Sequence, residues 1–138
     1  MMLGRVITTE TPERINEICG ADGSQCADFA KSPWQDIQDI SNAANQPCEF
    51  TSFVAYEYTG TPGTSNYHRN VIFRNDRVPA LPISVMETGF PALNLWKGLE
   101  AECRLGRPGC EAITIPHNSN IGGGYTFTSA REMGVAID

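Results

Sequence analysis

Glu57, His68 and His117 are the residues of this sequence best suited to chemistry: one carboxylate and both of the chain's imidazoles. That combination is a donor set for Zn²⁺, Mn²⁺ or Fe²⁺, ions that accept mixed nitrogen and oxygen ligands. His68 stands in NYHRN and His117 in IPHNSN, each at a strand edge beside polar residues. Either histidine alone reads more readily as a surface or structural residue, so the metal reading rests on the three together. Three ligands fall short of a two-metal site. The other acids, such as Asp22, Asp36, Asp39 and Asp76, lie in helix or loop contexts that read as solvated, so further ligands are expected from outside this chain.

Arg69 follows His68 directly, and an arginine there can clamp a phosphate or carboxylate through two parallel hydrogen bonds. A salt bridge to a core acid explains it equally well. Asn118 and Asn120, with Ser119 between them, can orient a substrate or hold the loop after His117, the loop role being slightly favoured. Gly122-Gly123-Gly124 lacks the Gly-Lys-Ser/Thr ending of a phosphate-binding loop. There is no G-x-S-x-G elbow for a serine hydrolase.

These residues need strands to hold them. Phe53-Val54-Ala55-Tyr56 is a nearly continuous apolar run, the pattern of a strand buried on both faces, with Glu57 near its end. Val71-Ile72-Phe73 repeats the pattern in a strand that His68 opens, and Gly60, Pro62 and Gly63 break the chain between the two. Ile113 and Ile115 form a third short buried strand that ends at Pro116-His117. Helix signals lie between: Thr11-Pro12 opening a helix that stops at Gly20, Ser32-Pro33 opening one that runs to about Gln46, and Phe90-Pro91 opening one that passes Leu99. In the second, Trp34, Ile37, Ile40 and Ala44 fall on one side. Residues 20–32 read as a loop with at most one helical turn, and NDRVPALPIS as a loop over the surface. The tail from Asn118 reads as a long polar, Gly-rich loop. Helices alternating with short buried strands predict an α/β domain with mainly parallel pairing.

At 138 residues there is room for one domain. A hydrophobic content of 41% and a charged content of 19% place it among globular chains. The net charge of −6 argues against nucleic acid as a partner, and no apolar run is long enough to span a bilayer. The opening MMLGRV lacks the apolar stretch of a signal peptide. Of five cysteines, Cys19 and Cys26 are seven apart, as are Cys103 and Cys110, each pair around a Gly-containing turn. This spacing suits short-loop disulfides and hence a periplasmic or extracellular location, with Cys48 left over. Disulfides also argue against a Cys–His nucleophile.

In combination, FTSFVAYEYTG, HRNVIFR and IPHNSN with its Gly-rich continuation resemble the DUF3604 family, as do ICGADGSQC and SPWQDIQDISNAAN. That bacterial family is similar to the PHP (polymerase and histidinol phosphatase-like) branch of metal-dependent hydrolases. The resemblance covers roughly residues 13–128. It implies a distorted TIM-like barrel with metal at the C-terminal mouth, of which residues 1–138 are a central part. It makes Glu57, His68 and His117 metal ligands and implies hydrolysis by metal-bound hydroxide, with a small anionic substrate, most readily a phosphoester. The His-x-His motif and the downstream acidic segment of PHP-like enzymes are absent, so flanking segments are expected to complete the site and the isolated chain is expected to be inactive. Two rivals stand beside this reading. One is a non-catalytic, disulfide-braced α/β domain; the other is an amide- or ester-cleaving enzyme on the same barrel.

Overall fold

The computed structural model describes residue 9 and residues 12–90, 93–124 and 126–127. Along the chain come α1 (Asn16–Cys19), α2 (Ser24–Ala44), β1 (Ala55–Gly60), a 3₁₀ turn (Pro62–Thr64), β2 (Tyr67–Phe73), α3 (Val85–Thr88), α4 (Leu93–Leu99), a π-helical turn (Glu100–Leu105) and β3 (Ala112–Asn118). The strands form one open antiparallel sheet in the order β1-β2-β3. The class is α/β, but the expected TIM-like barrel with mainly parallel strands is not what forms.

The reason lies in the connections. A parallel pair needs a crossover of about a dozen residues or more, and only residues 61–66 separate β1 from β2. Gly63 takes a positive φ of 55° within that turn, and the chain doubles back so that Thr59 lies opposite His68. The segment from 74 to 111 is long enough for a crossover. Instead it folds beneath the sheet and returns to the end it left, where the Arg74 amide donates to the Glu111 carbonyl at 3.0 Å and Ala112 pairs with Phe73.

One face of the sheet is covered. Tyr58, Tyr67, Val71 and Phe73 point inward with Trp34 of α2, Val78 and Ile83 of the following loop, and Leu95 and Leu99 of α4. NDRVPALPIS is a surface loop only in part: Asn75, Asp76, Arg77 and Ala80 are exposed, but Val78 and Ile83 are in the core. Trp34 packs edge-on against Tyr56 and Phe73 and donates its indole N–H to the Pro79 carbonyl at 2.9 Å. The opposite face is open. Ile113, 60% exposed, Ile115 and Phe53 lie on the surface, contrary to the doubly buried strands expected from their apolar runs. Along β3 the isoleucines alternate with Thr114 and Pro116, the period of two that separates an open face from a covered one.

The helices also depart from expectation. α2 begins at Ser24, eight residues before the predicted start, and runs through Pro33. The hydrogen bond that Pro33 cannot make would go to the carbonyl of Phe29, on the exposed side of the helix, where water can replace it. Its buried stripe is Trp34 and Ser41, whereas Ile40 is 70% exposed. α1 is a short turn after an extended Ile15; the predicted Thr11 cap and the Pro91 start lie outside the described residues.

Cys19–Cys26 and Cys103–Cys110 are disulfide-bonded, compatible with an oxidising compartment such as the periplasm or the cell exterior. The first joins α1 to α2; the second fastens the π-helical turn to the chain just before β3. Cys48 is free and exposed.

Burial pushes the hydroxyls of Tyr56, Tyr58 and Tyr67 up from the usual tyrosine value, Tyr56 furthest. Tyr56 donates to the Ile83 carbonyl at 3.0 Å. A pKa raised in the fold favours the protonated chain, so this stabilisation is complete below the unfolded value of about 10 and is lost as pH rises through the folded values. The melting temperature should fall steeply above about pH 10, and Tyr56→Phe should make that fall shallower. An unchanged slope in Tyr56→Phe would show that this hydroxyl does not drive the alkaline transition.

Candidate metal centre

The antiparallel order determines which side chains meet. In a parallel sheet, a residue opening β2 would lie at the opposite end from one closing β1. Here the end of β1, the start of β2 and the end of β3 share one edge, so Glu57, His68 and His117 come together on the open face. Period-two alternation places Glu57 and Thr59 on that face, with Asn70 and His68 opposite them. Ile115 lies opposite Asn70.

A β-bulge sets the position of His117. Asn70 pairs with Ile115 and Arg69 with Pro116, but His68 pairs with Asn118, leaving His117 as the extra residue. Bulges bend the strand and re-aim side chains. Proline is tolerated here because β3 is an edge strand and the bulge has already interrupted the ladder.

His68 Nδ1 lies 2.8 Å from Glu57 Oε1 and 3.1 Å from the Thr59 hydroxyl. His117 Nε2 lies 3.4 Å from the same carboxylate oxygen, and the two imidazole centroids are 6.1 Å apart. When His68 Nδ1 donates to Glu57, its Nε2 keeps a lone pair for a ligand, the tautomer control common around metal-binding histidines. His68 is the more enclosed ring; His117 and Glu57 are more open to solvent.

The donor types suit a borderline divalent ion. The 3.4 Å separation resembles that of two donors on one tetrahedral zinc, about 3.3 Å for bonds near 2.05 Å. As the side chains stand, no group of three or more His, Cys, Asp or Glu among the described residues is arranged to hold a metal ion. The three form a polar cluster in which both imidazoles approach Glu57 Oε1.

The other candidate residues lie elsewhere. Arg69 alternates to the covered face, where it is 6% exposed. There it donates to the Tyr67 hydroxyl and to the Thr126 carbonyl, and its guanidinium lies 4.8 Å from the centre of the Tyr67 ring and 5.1 Å from that of Trp96. Asn118 accepts the Asn120 backbone N–H at 3.0 Å, and the Asn120 carbonyl accepts from the Asn66 side chain at 2.9 Å. Both contacts belong to the loop after His117. Thr59 and Asn70 carry no signal of their own in the sequence. Their alternation with Glu57 and His68 marks them once the hairpin register is known.

The family model for DUF3604, described as a protein of unknown function, matches residues 1–138. The chain belongs to the DUF3604 family. No curated protein and no solved structure matches it. Within this DUF3604 chain the quoted motifs coincide with the structural cluster: AYEYTG supplies β1 with Glu57, YHRNVIF is β2 with His68, and AITIPHN is β3 with His117.

Proposed function

We propose that this chain contributes Glu57, His68 and His117 to a divalent-metal site of a hydrolase acting on a small anionic substrate, with a phosphoester as the first substrate to try. One observation carries the reading: three potential ligands from three strands converge around a single carboxylate oxygen, Glu57 Oε1. A divalent ion there would supply Lewis acidity for hydrolysis. Thr59 lies against His68 Nδ1, and the bulge turns His117 toward Glu57 and His68. Asn70 is the further polar side chain on this face able to orient a substrate. Arg69, on the other face, supports the sheet. Completing ligands would come from segments beyond these three strands, and the disulfides favour an exported protein.

A second reading is favoured by the 2.8 Å Glu57–His68 contact. It is a metal-free polar cluster on a disulfide-braced, non-catalytic domain. Zinc and manganese titrations, read by metal content and thermal shift, separate the two. On the metal reading, Zn²⁺ at a hundred times its dissociation constant adds about 2.7 kcal/mol of stability. His117→Ala should lose both the bound metal and the shift. Full metal content retained in His117→Ala would overturn the proposal, and no binding by the wild-type chain would favour the cluster.

A further inference from the structure

The hydrogen-bond ladder is weakest where His117 needs support. Pro116 has no N–H to donate, and the bulge between His68 and Arg69 interrupts pairing at the same level. Beneath that gap lies a set of polar contacts that fastens the chain after β3 to the start of β2.

Asn66 makes three of them. Its backbone N–H donates to the Ile121 carbonyl at 2.8 Å, and its side-chain amide donates to the Asn120 carbonyl at 2.9 Å. Its own carbonyl accepts from the Thr126 hydroxyl at 3.4 Å. Arg69 makes the deepest contact, donating Nη2 to the Thr126 carbonyl at 3.1 Å while Tyr67 and Trp96 flank its guanidinium. Trp96 is itself anchored by an indole N–H to the Thr114 hydroxyl of β3 at 3.0 Å. The loop is tightly packed: a Cβ on Gly122 would lie 2.3 Å from the Thr126 hydroxyl oxygen and 3.1 Å from the Ser119 carbonyl, so any side chain there would displace Thr126.

We infer that Arg69, with Asn66, is a positioning residue for His117: a clasp that replaces the missing ladder at the bulge and holds His117 within reach of Glu57. This rests on the proposed metal site. Arg69 lies opposite Pro116 in the sheet, so one side chain on the covered face steadies the bulge that carries His117 on the open face. Its planar fork and flanking rings suit arginine and not lysine.

The test uses the whole chain with Zn²⁺ alone as the probe. Arg69→Met and the milder Asn66→Ala should each weaken zinc binding about 10-fold, the lower end of what loss of a ligand-supporting residue costs. Trp34→Phe, which disturbs the core away from the clasp, should leave zinc affinity within two-fold of wild type; a purely structural role would weaken binding in all three variants. Two readouts need no metal: faster amide hydrogen exchange over residues 118–124, and loss of the nuclear Overhauser contact between the His68 and His117 rings. Zinc affinity within two-fold of wild type in both variants, or equal weakening in Trp34→Phe, would overturn the inference. If the wild-type chain binds no zinc, the metal reading fails and the metal-free readouts decide. Unchanged exchange and an intact ring contact in Asn66→Ala and in any folded Arg69→Met would then sink the clasp.

Discussion

Trp34→Ala should destabilise the fold by about 3–5 kcal/mol, the cost of truncating a large aromatic in a core. Trp34 joins the long helix α2 to the sheet: its ring meets Tyr56 of β1 and Phe73 of β2, and its N–H satisfies the Pro79 carbonyl. Removing it opens a cavity at the junction of three elements and orphans a buried acceptor. Domains of this size have only about 5–15 kcal/mol in total, so urea denaturation should find Trp34→Ala largely unfolded or close to it. Trp34→Phe keeps an aromatic ring but not the hydrogen bond, and should lose markedly less. A loss of under about 1 kcal/mol in Trp34→Ala would mean that α2 is held to the sheet by other contacts.

Glu57→Gln should leave the fold nearly unchanged and weaken metal binding at least about 100-fold, the upper end of what removing a supporting residue does. Glutamine matches the shape but not the charge, and Glu57 Oε1 is the one atom that both imidazoles approach. A single substitution therefore disconnects all three groups. Because Glu57 is about half exposed, its loss should cost no more than about 0.5 kcal/mol of stability. Isothermal titration with Zn²⁺ beside a thermal melt separates the two effects. Wild-type affinity in Glu57→Gln would remove the carboxylate from the site.

The strands and disulfides around the candidate residues are legible in residue types. The strands carrying Glu57, His68 and His117 lie where the apolar runs place them, and both disulfides follow from pairs closing short Gly-containing turns. Strand direction was harder to read, because Phe53–Tyr56 and Val71–Phe73 look alike in parallel and antiparallel sheets. The short link over 61–66 was the decisive clue. His68 opening its strand looked misplaced in a parallel sheet, whereas in the antiparallel one that position brings it beside Glu57.

Burial is not legible where a run mixes apolar residues from both faces. Ile113 and Ile115 suggested a buried strand, yet both are on the open side. Along α2, side-chain hydrophobicity marked Ile37 and Ile40 as inward, but Ser41 is the buried residue, its hydroxyl 3.0 Å from that of Ser52. Arg69 was read for its charge. Its neighbours Tyr67 and Val71, both inward on the same period of two, were the available sign that it would be buried.

The π-helical turn over Glu100–Leu105 has a consequence for chain length. A π turn holds one more residue than an α turn can seat, and here that stretch carries Cys103 into the core to reach Cys110. Removing one residue between Leu99 and Cys103 would let the segment relax to α geometry, because the extra residue that widens the turn is the one taken out. The thiol would then keep roughly its present direction toward Cys110. Homologues one residue shorter at this point should therefore retain the Cys103–Cys110 pair on an ordinary α-helical turn.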